Sequence, residues 1–90
     1  MKIEIHLKQI ISTALRIDSK KINIDATQNT LAEWDSLGHV AILSCLEKEM
    51  NISFSAREAS RMLSVKEIIQ ILENYGFKLI DLDSLMLLRE

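Results

Sequence analysis

The residues with the clearest potential for chemistry stand together as Asp35, Ser36, Leu37, Gly38 and His39. A serine hydroxyl at such a point can act as a nucleophile, carry a covalent modification or cap a helix. A catalytic Ser–His pair is not expected, because two residues three apart on a helix align poorly for proton transfer and no oxyanion motif follows. Metal-ligand spacings are absent. We therefore predict neither an enzyme nor a metal site.

The simplest interpretation of Ser36 is a helix cap, a role that either Asp35 or Ser36 can fill with a side-chain oxygen. Two neighbours fit a pure cap poorly. Gly38 weakens a first helical turn by about 0.5–1 kcal/mol relative to alanine. Position 39, where a capping box has an acidic residue, is a histidine. We expect the missing side chain at Gly38 to leave open space beside the Ser36 hydroxyl.

The spacing of apolar residues predicts the elements that position this stretch. Residues 3–17 have the periodicity of an amphipathic helix. Residues 18–35 are polar and predict a long ordered loop, pinned to the core by its isolated apolar side chains Ile22, Ile24, Leu31 and Trp34. The helix over 36–50 is apolar on more than one face, so we expect it to be central and the most enclosed. Asn51 is a plausible stop.

The second half of the sequence predicts two more helices. A short one over 56–62 and a last one over 65–75 each follow a serine with a glutamate three residues later, which is the capping-box pattern. Gly76 is a typical stop, and 77–90 is unusually apolar for a tail. The predicted fold is all-α. It is a bundle of three main helices and one short helix, with a long first loop and an extra apolar C-terminal segment.

The composition excludes several classes of protein. Ninety residues allow one domain, and zero prolines with two glycines disfavour an all-β design. A net charge of −2, with no basic cluster beyond Lys20 and Lys21, argues against nucleic-acid binding. The longest uninterrupted apolar runs have four residues, far fewer than the roughly 20 apolar residues that a membrane-spanning helix needs. The single Cys45, expected in the core, and the lack of a signal segment predict a cytoplasmic protein.

The tripeptide Asp35-Ser36-Leu37, preceded by a long loop and opening a central helix, resembles the acyl carrier protein family. The order of elements over 3–76 agrees with that family. Residues 46–52, Leu-Glu-Lys-Glu-Met-Asn-Ile, resemble the family's Leu-Glu-Glu-Glu-Phe-Gly-Ile ending of the same helix. The tripeptide alone has little specificity, because residues 83–85 repeat it. The distinguishing feature of Ser36 is its position between the loop and the helix.

The resemblance implies that Ser36 carries 4′-phosphopantetheine, installed from coenzyme A by a separate phosphopantetheinyl transferase. It also implies that Asp35 helps to position that transferase and its metal, so Asp35, Ser36 and Leu37 form the predicted cofactor site. The arm would hold an acyl group as a thioester for acyl-activating or acyl-transferring enzymes. A helix N-terminus suits a phosphodiester, because free N–H groups and the macrodipole favour an anion there.

The resemblance further implies that the helix over 36–50 is the docking surface for partner enzymes, through Asp35, Leu37, Val40, Ala41, Glu47 and Glu49. Fatty-acid carriers present several carboxylates there to basic patches on their partners. Here Gly38, Ala41 and Lys48 stand at usually acidic positions, so we expect weaker electrostatic steering. We interpret the chain as a specialised stand-alone carrier of a lipid, polysaccharide-modifying or secondary-metabolite pathway. Trp34 fits this specialisation, but a loop aromatic anchored on the core explains it equally well.

Two further expectations concern the organisation of the chain. We divide it into a carrier domain, 1–76, and a C-terminal extension, 77–90, that packs on the bundle or on a partner. A monomer is expected, and a homodimer through the tail is the alternative. The rival function is an unmodified helical adaptor that binds partners through its apolar tail and uses Ser36 only as a cap.

Overall fold

The computed structural model describes residues 4–79. The elements follow in the order β1 (Glu4–Ile5), α1 (Leu7–Leu15), a 3-10 helix (Ser19–Lys21), α2 (Ser36–Met50), α3 (Ala56–Arg61), α4 (Val65–Asn74) and β2 (Lys78–Leu79). The predicted helical bundle, with three longer helices, one short helix and a long first loop, is confirmed. The expectation that the C-terminal extension packs on the bundle or on a partner lies, for residues 80–90, outside the described part of the chain.

The two short strands were not foreseen. β1 runs parallel to β2, with Glu4 opposite Lys78 and Ile5 opposite Leu79. The helix predicted over 3–17 is therefore wrong at its start, because Glu4 and Ile5 pair with β2 and α1 begins only at Leu7. The partner strand lies at the far end of the described chain, so the local apolar spacing could not reveal it. Phe77 and Leu79 are buried, which makes the first residues after Gly76 part of the core.

The ends of the helices follow local backbone chemistry. Helix α1 stops earlier than predicted, because Arg16 adopts the left-handed conformation with φ 58°. Asn51, with φ 56°, ends α2 as predicted. Gly76 has φ 94°, its N–H bonds to the carbonyl of Glu73, and the next N–H bonds back to Leu72. This is a Schellman motif, which confirms Gly76 as the stop of α4.

The long loop is pinned to the core as predicted. Ile22 and Trp34 are buried, and Ile24 and Leu31 pack partly buried against the core. Its backbone also joins the segment before α4: Gln28 N–H donates to the carbonyl of Leu63 at 2.9 Å, and the carbonyl of Ala26 accepts from Val65 N–H at 3.0 Å. The loop is thereby fixed at its middle as well as at its ends, which holds the start of α2 in place.

The hydrophobic core is assembled from α1, α4 and the loop together with one side of α2. Its buried members are Leu7, Ile11, Leu15, Ile22, Ala26, Trp34, Ile42, Leu46, Met50, Met62, Val65, Ile68, Ile69, Leu72, Phe77 and Leu79. The expectation that α2 is the most enclosed helix is wrong. Leu37 is 81% exposed and Val40 is 59% exposed, so the second apolar face of α2 points to solvent. Within residues 4–79, no helix is both long and apolar enough to cross a membrane.

Candidate functional site

Asp35 caps α2, and Ser36 does not. The Asp35 carboxylate accepts the N–H of Gly38 at 2.8 Å, and its carbonyl accepts the N–H of His39 at 2.8 Å. Ser36 is the first residue of the helix and is exposed. The first-turn donor is therefore satisfied by the preceding side chain. The Ser36 hydroxyl remains available at the surface for a bond to another group.

Gly38 allows the loop to approach the first turn of α2 closely. A Cβ on this residue would lie 2.3 Å from the carbonyl oxygen of Glu33 and 2.8 Å from Cδ2 of Leu15. The expectation of open space at Gly38 is wrong, because the loop backbone and a core side chain already fill that space. The glycine is explained by packing between the loop and the helix.

His39 joins three elements of the site. The indole N–H of Trp34 donates to its Nδ1 at 3.4 Å, and its Nε2 lies 2.9 Å from the carbonyl oxygen of Ala59. An indole N–H can only donate and a carbonyl can only accept, so in this arrangement Nδ1 is the acceptor and Nε2 the donor. Both ring nitrogens are engaged with Trp34 and Ala59 rather than with Ser36.

Trp34 is fully buried, with its ring in the core and its N–H on His39. Of the two interpretations of this residue, the structure supports a loop aromatic anchored on the core. The role of His39 was not foreseen from the sequence. An aromatic residue five positions before a histidine is a weak signal, and the third partner, a backbone carbonyl of α3, has no sequence signature at all.

The predicted docking residues occupy different environments. Leu37, Val40 and Glu49 are exposed on α2, and Ala41 is half-buried. Glu47 is half-buried, and its Oε2 accepts the N–H of Phe54 at 2.7 Å across the connection to α3. One of the predicted docking carboxylates therefore holds the chain between α2 and α3.

A second polar contact ties α3 to the end of α4. Ser55 caps α3 in a full capping box with Glu58, and the hydroxyl of Tyr75 donates to Glu58 Oε1 at 2.8 Å. The backbone N–H of Ser55, followed by the Tyr75 hydroxyl, lowers the pKa of Glu58, and the same carboxylate raises the pKa of Tyr75. Phe54 packs edge-on against Tyr75 at 5.8 Å between ring centroids. These contacts fix the orientation of the short helix.

Other potential sites lie away from Ser36. A surface cavity of about 570 Å³ lies between the loop and α4, lined by Ile24, Lys66, Ile69, Gln70, Glu73 and Asn74. None of these residues belongs to α2, so this cavity is separate from the start of that helix. The described ranges contain no group of three or more histidine, cysteine or acidic residues able to hold a metal ion. Cys45 is partly buried.

Comparison with known proteins agrees with this arrangement. No protein-family model matches the chain. Over 76 residues, however, the chain is 34% identical to a protein named acyl carrier protein from Buchnera aphidicola subsp. Acyrthosiphon pisum (strain 5A). The aligned region covers 84% of this chain and 95% of that relative, so the similarity extends over most of both chains. The chain therefore belongs to the acyl carrier protein family.

Proposed function

We propose that Ser36 carries a covalent 4′-phosphopantetheine arm and that the chain presents acyl groups on this arm to partner enzymes. Members of the acyl carrier protein family normally carry this group, and membership supports a carrier rather than a catalyst. The observation that carries the proposal is the state of Ser36. Ser36 is exposed as the first residue of α2. Asp35 caps the helix, although the adaptor hypothesis assigned that role to Ser36.

The residues around Ser36 fit such an arm. Ser36 and Leu37 are both exposed, which gives a transferase access to the hydroxyl. When the arm is installed from coenzyme A, the Ser36 oxygen attacks the phosphorus that carries the pantetheine. The pyrophosphate bond breaks, adenosine 3′,5′-bisphosphate leaves, and the hydroxyl proton passes to a base of the transferase. The N-terminus of a 15-residue helix then lies beside the new anion, and its dipole stabilises negative charge by about 0.3–1 kcal/mol.

The arm supplies a thiol that holds an acyl group as a thioester, and the tether replaces diffusion with a high effective concentration at each partner. The protein's contribution is to keep the attachment point fixed and accessible. Leu15 and the Glu33 carbonyl pack against Gly38, and the Trp34–His39–Ala59 chain of hydrogen bonds joins the loop, α2 and α3 behind Ser36.

The proposed docking surface for the transferase and for acyl-activating or acyl-transferring enzymes is the outer face of α2. It comprises Asp35, Leu37, Val40, Ala41 and Glu49. Glu47 lies at the end of this surface, with one carboxylate oxygen on Phe54 N–H. The proposed pathway is lipid, polysaccharide-modifying or secondary-metabolite synthesis. The mass of the thioester isolated from the native host would identify the cargo.

The test is to incubate the full chain with coenzyme A and a broad-specificity phosphopantetheinyl transferase, and to measure the intact mass. We expect a gain of one phosphopantetheine on the unsubstituted chain and none on Ser36→Ala. The matched control is Ser84→Ala, because residues 83–85 repeat the tripeptide, and it should still gain one group. Modification of Ser36→Ala, or no modification of any form while a known carrier is modified in parallel, would refute the proposal.

A further inference from the structure

A groove follows one side of α4 over most of its length. Its volume is about 570 Å³, and its lining residues are Ile24, Lys66, Ile69, Gln70, Glu73 and Asn74. The α4 residues of this set recur every three or four positions, so they share one side of the helix. Ile69 is buried and Ile24 is partly buried, whereas the polar residues at positions 66, 70 and 74 are exposed. The groove therefore has an apolar floor and a polar rim, which suits an amphipathic segment of chain.

The groove lies between the long loop and the small sheet. At one end, the Val65 N–H donates to the carbonyl of Ala26 at 3.0 Å, so α4 begins beside the loop. Lys66 Nζ lies 3.3 Å from Oδ1 of Asp25 at the same end. At the other end, the turn at Gly76 leads into β2, which packs against α4 and pairs with β1. Because β2 lies at the sheet end of the bundle, a chain that leaves it and stays in contact with the bundle must run back towards the loop.

The direction of β2 supports the same path. β2 is parallel to β1, so the chain leaves Leu79 in the direction in which β1 approaches α1. Helix α1 begins at Leu7 and leads from the sheet to the loop. Leu79 is 5% exposed, so the point at which the chain leaves β2 is held against the bundle. The following residues are thus directed along the bundle rather than away from it.

The segment that follows has the length and the composition to fill the groove. Eleven residues, 80–90, come after Leu79, and the large apolar ones among them are Ile80, Leu82, Leu85, Met86, Leu87 and Leu88. Helix α4 has 10 residues and is about 15 Å long. Eleven residues reach about 16 Å as a helix and about 36 Å when extended, so either conformation spans the groove.

We propose that residues 80–90 of the same chain occupy this groove, with apolar side chains over Ile24 and Ile69. Burial of large apolar side chains is favourable and drives the contact. A tethered segment has a far higher effective concentration than a second molecule, so the chain's own extension outcompetes a second copy for the groove. No residue of α2 lines the groove, so the extension leaves Ser36 uncovered. In this arrangement the extension completes the carrier domain instead of serving as a binding surface for another protein.

The test measures the melting temperature, Tm, of the full-length chain and its variants in a double-mutant cycle. The tail variant makes the extension polar and carries Leu82→Ser, Leu85→Ser, Met86→Ser, Leu87→Ser and Leu88→Ser. It should lower Tm by at least about 4 °C, because the groove loses its apolar contacts. Ile24→Ala should lower Tm roughly twice as much in the unsubstituted chain as in the tail variant, because residues in contact have non-additive effects. Circular dichroism before heating checks that every variant is folded.

Leu31→Ala is the matched control, because Leu31 is a partly buried loop residue like Ile24 but does not line the groove. It should lower Tm equally in the unsubstituted chain and in the tail variant. A second measurement compares the backbone amide resonances of these two proteins by NMR. The resonances should differ mainly at the residues that line the groove, and not at Leu37 and Val40 on the outer face of α2.

Several results would overturn the proposal. An unchanged Tm of the tail variant would show that the extension does not pack on the bundle. Equal effects of Ile24→Ala in the two proteins, or amide differences away from the groove, would place the extension elsewhere. A dimer of the unsubstituted chain by light scattering, converted to a monomer in the tail variant, would show that a second copy covers the extension. None of these measurements involves an arm on Ser36, so this inference and the proposed function can fail separately.

Discussion

The indole N–H of Trp34 donates a hydrogen bond to Nδ1 of His39, at 3.4 Å between the nitrogens. Trp34 is fully buried, so His39 satisfies a polar atom that would otherwise be costly inside the core. The opposite nitrogen of the same ring donates to the carbonyl of Ala59 in α3. One side chain thus links the loop before Ser36 to the helix beside it.

Replacing His39 by alanine should destabilise the protein by about 1–3 kcal/mol, because the buried indole N–H of Trp34 loses its acceptor. Trp34 is the single tryptophan, so its fluorescence during urea unfolding reports the change in the free energy of unfolding directly. His6→Ala is the control, since His6 is exposed, and should change stability by less than about 0.5 kcal/mol. Equal effects of the two substitutions would contradict the linking role of His39.

Replacing Gly38 by alanine should destabilise the protein by roughly 1–3 kcal/mol, although alanine is the better helix former. The added Cβ would lie 2.3 Å from the Glu33 carbonyl oxygen, and backbone must shift to relieve this clash. Ser44→Ala, on the exposed side of the same helix, should be neutral or slightly stabilising. Thermal unfolding followed by circular dichroism compares the two. An increase in stability with Gly38→Ala would show that the loop does not pack on α2 as described.

Substitutions of Asp35 and of Ser36 should have different effects on the free energy of unfolding. Asp35→Ala removes the cap of α2 and should cost about 0.5–2 kcal/mol, whereas Asp35→Asn retains most of the cap. Ser36→Ala, which abolishes the proposed attachment, should change the stability of the unmodified chain by less than about 0.5 kcal/mol. Urea unfolding of the three variants measures this. A large loss of stability with Ser36→Ala, and none with Asp35→Ala, would show that Ser36 rather than Asp35 caps α2.

The hydrogen bond between Tyr75 and Glu58 has a signature in pH titration. Tyr75 is the single tyrosine, so ultraviolet absorbance of its phenolate should give a pKa above the usual value of 10.0. Glu58→Gln should move this pKa back towards that value, because the carboxylate acceptor causes the shift. Glu73→Gln is the control, as another glutamate of the α3–α4 half of the chain. An unshifted pKa in the native chain would contradict the contact.

The same pair makes stability depend on pH at both ends of the range. The folded pKa of Tyr75 is raised, so its contribution is fully present below 10.0 and is lost as pH rises through the raised pKa. The folded pKa of Glu58 is lowered, so its contribution is present above 4.5 and is lost as pH falls through the lowered pKa. Tyr75 is exposed and Glu58 is only partly buried, so solvent screening keeps the effect small.

Truncation should distinguish the two parts of the segment after α4. A chain ending at Tyr75 loses the buried Phe77 and Leu79 and the pairing of β2 with β1, and should be less stable by at least about 3 kcal/mol. A chain ending at Leu79 keeps these contacts and should unfold at a clearly higher urea concentration than the shorter one. Light scattering of the Leu79-ended and full-length chains also tests the dimer alternative. The dimer alternative would be supported if the full-length chain had twice its monomer mass while the chain ending at Leu79 had the mass of a monomer.

The sequence by itself determined the order of the helices, their stops at Asn51 and Gly76, and the position of Ser36 at a loop–helix junction. These features depend on short-range physics: apolar residues at helical spacing, left-handed residues that end a helix, and side chains that cap within three residues. The same local information was sufficient to predict the pinned loop, because burial in the core stabilises isolated apolar side chains of a polar segment.

Only the tertiary structure decided why residue 38 is a glycine, where the His39 ring binds and why Glu4 and Ile5 form a strand. Each depends on segments distant in sequence: Leu15 against Gly38, Ala59 on His39, and β2 beside β1. No local pattern encodes such contacts, because they form only when the whole chain is packed. They hold the loop against α2 at the point where Ser36 is exposed as the first residue of the helix.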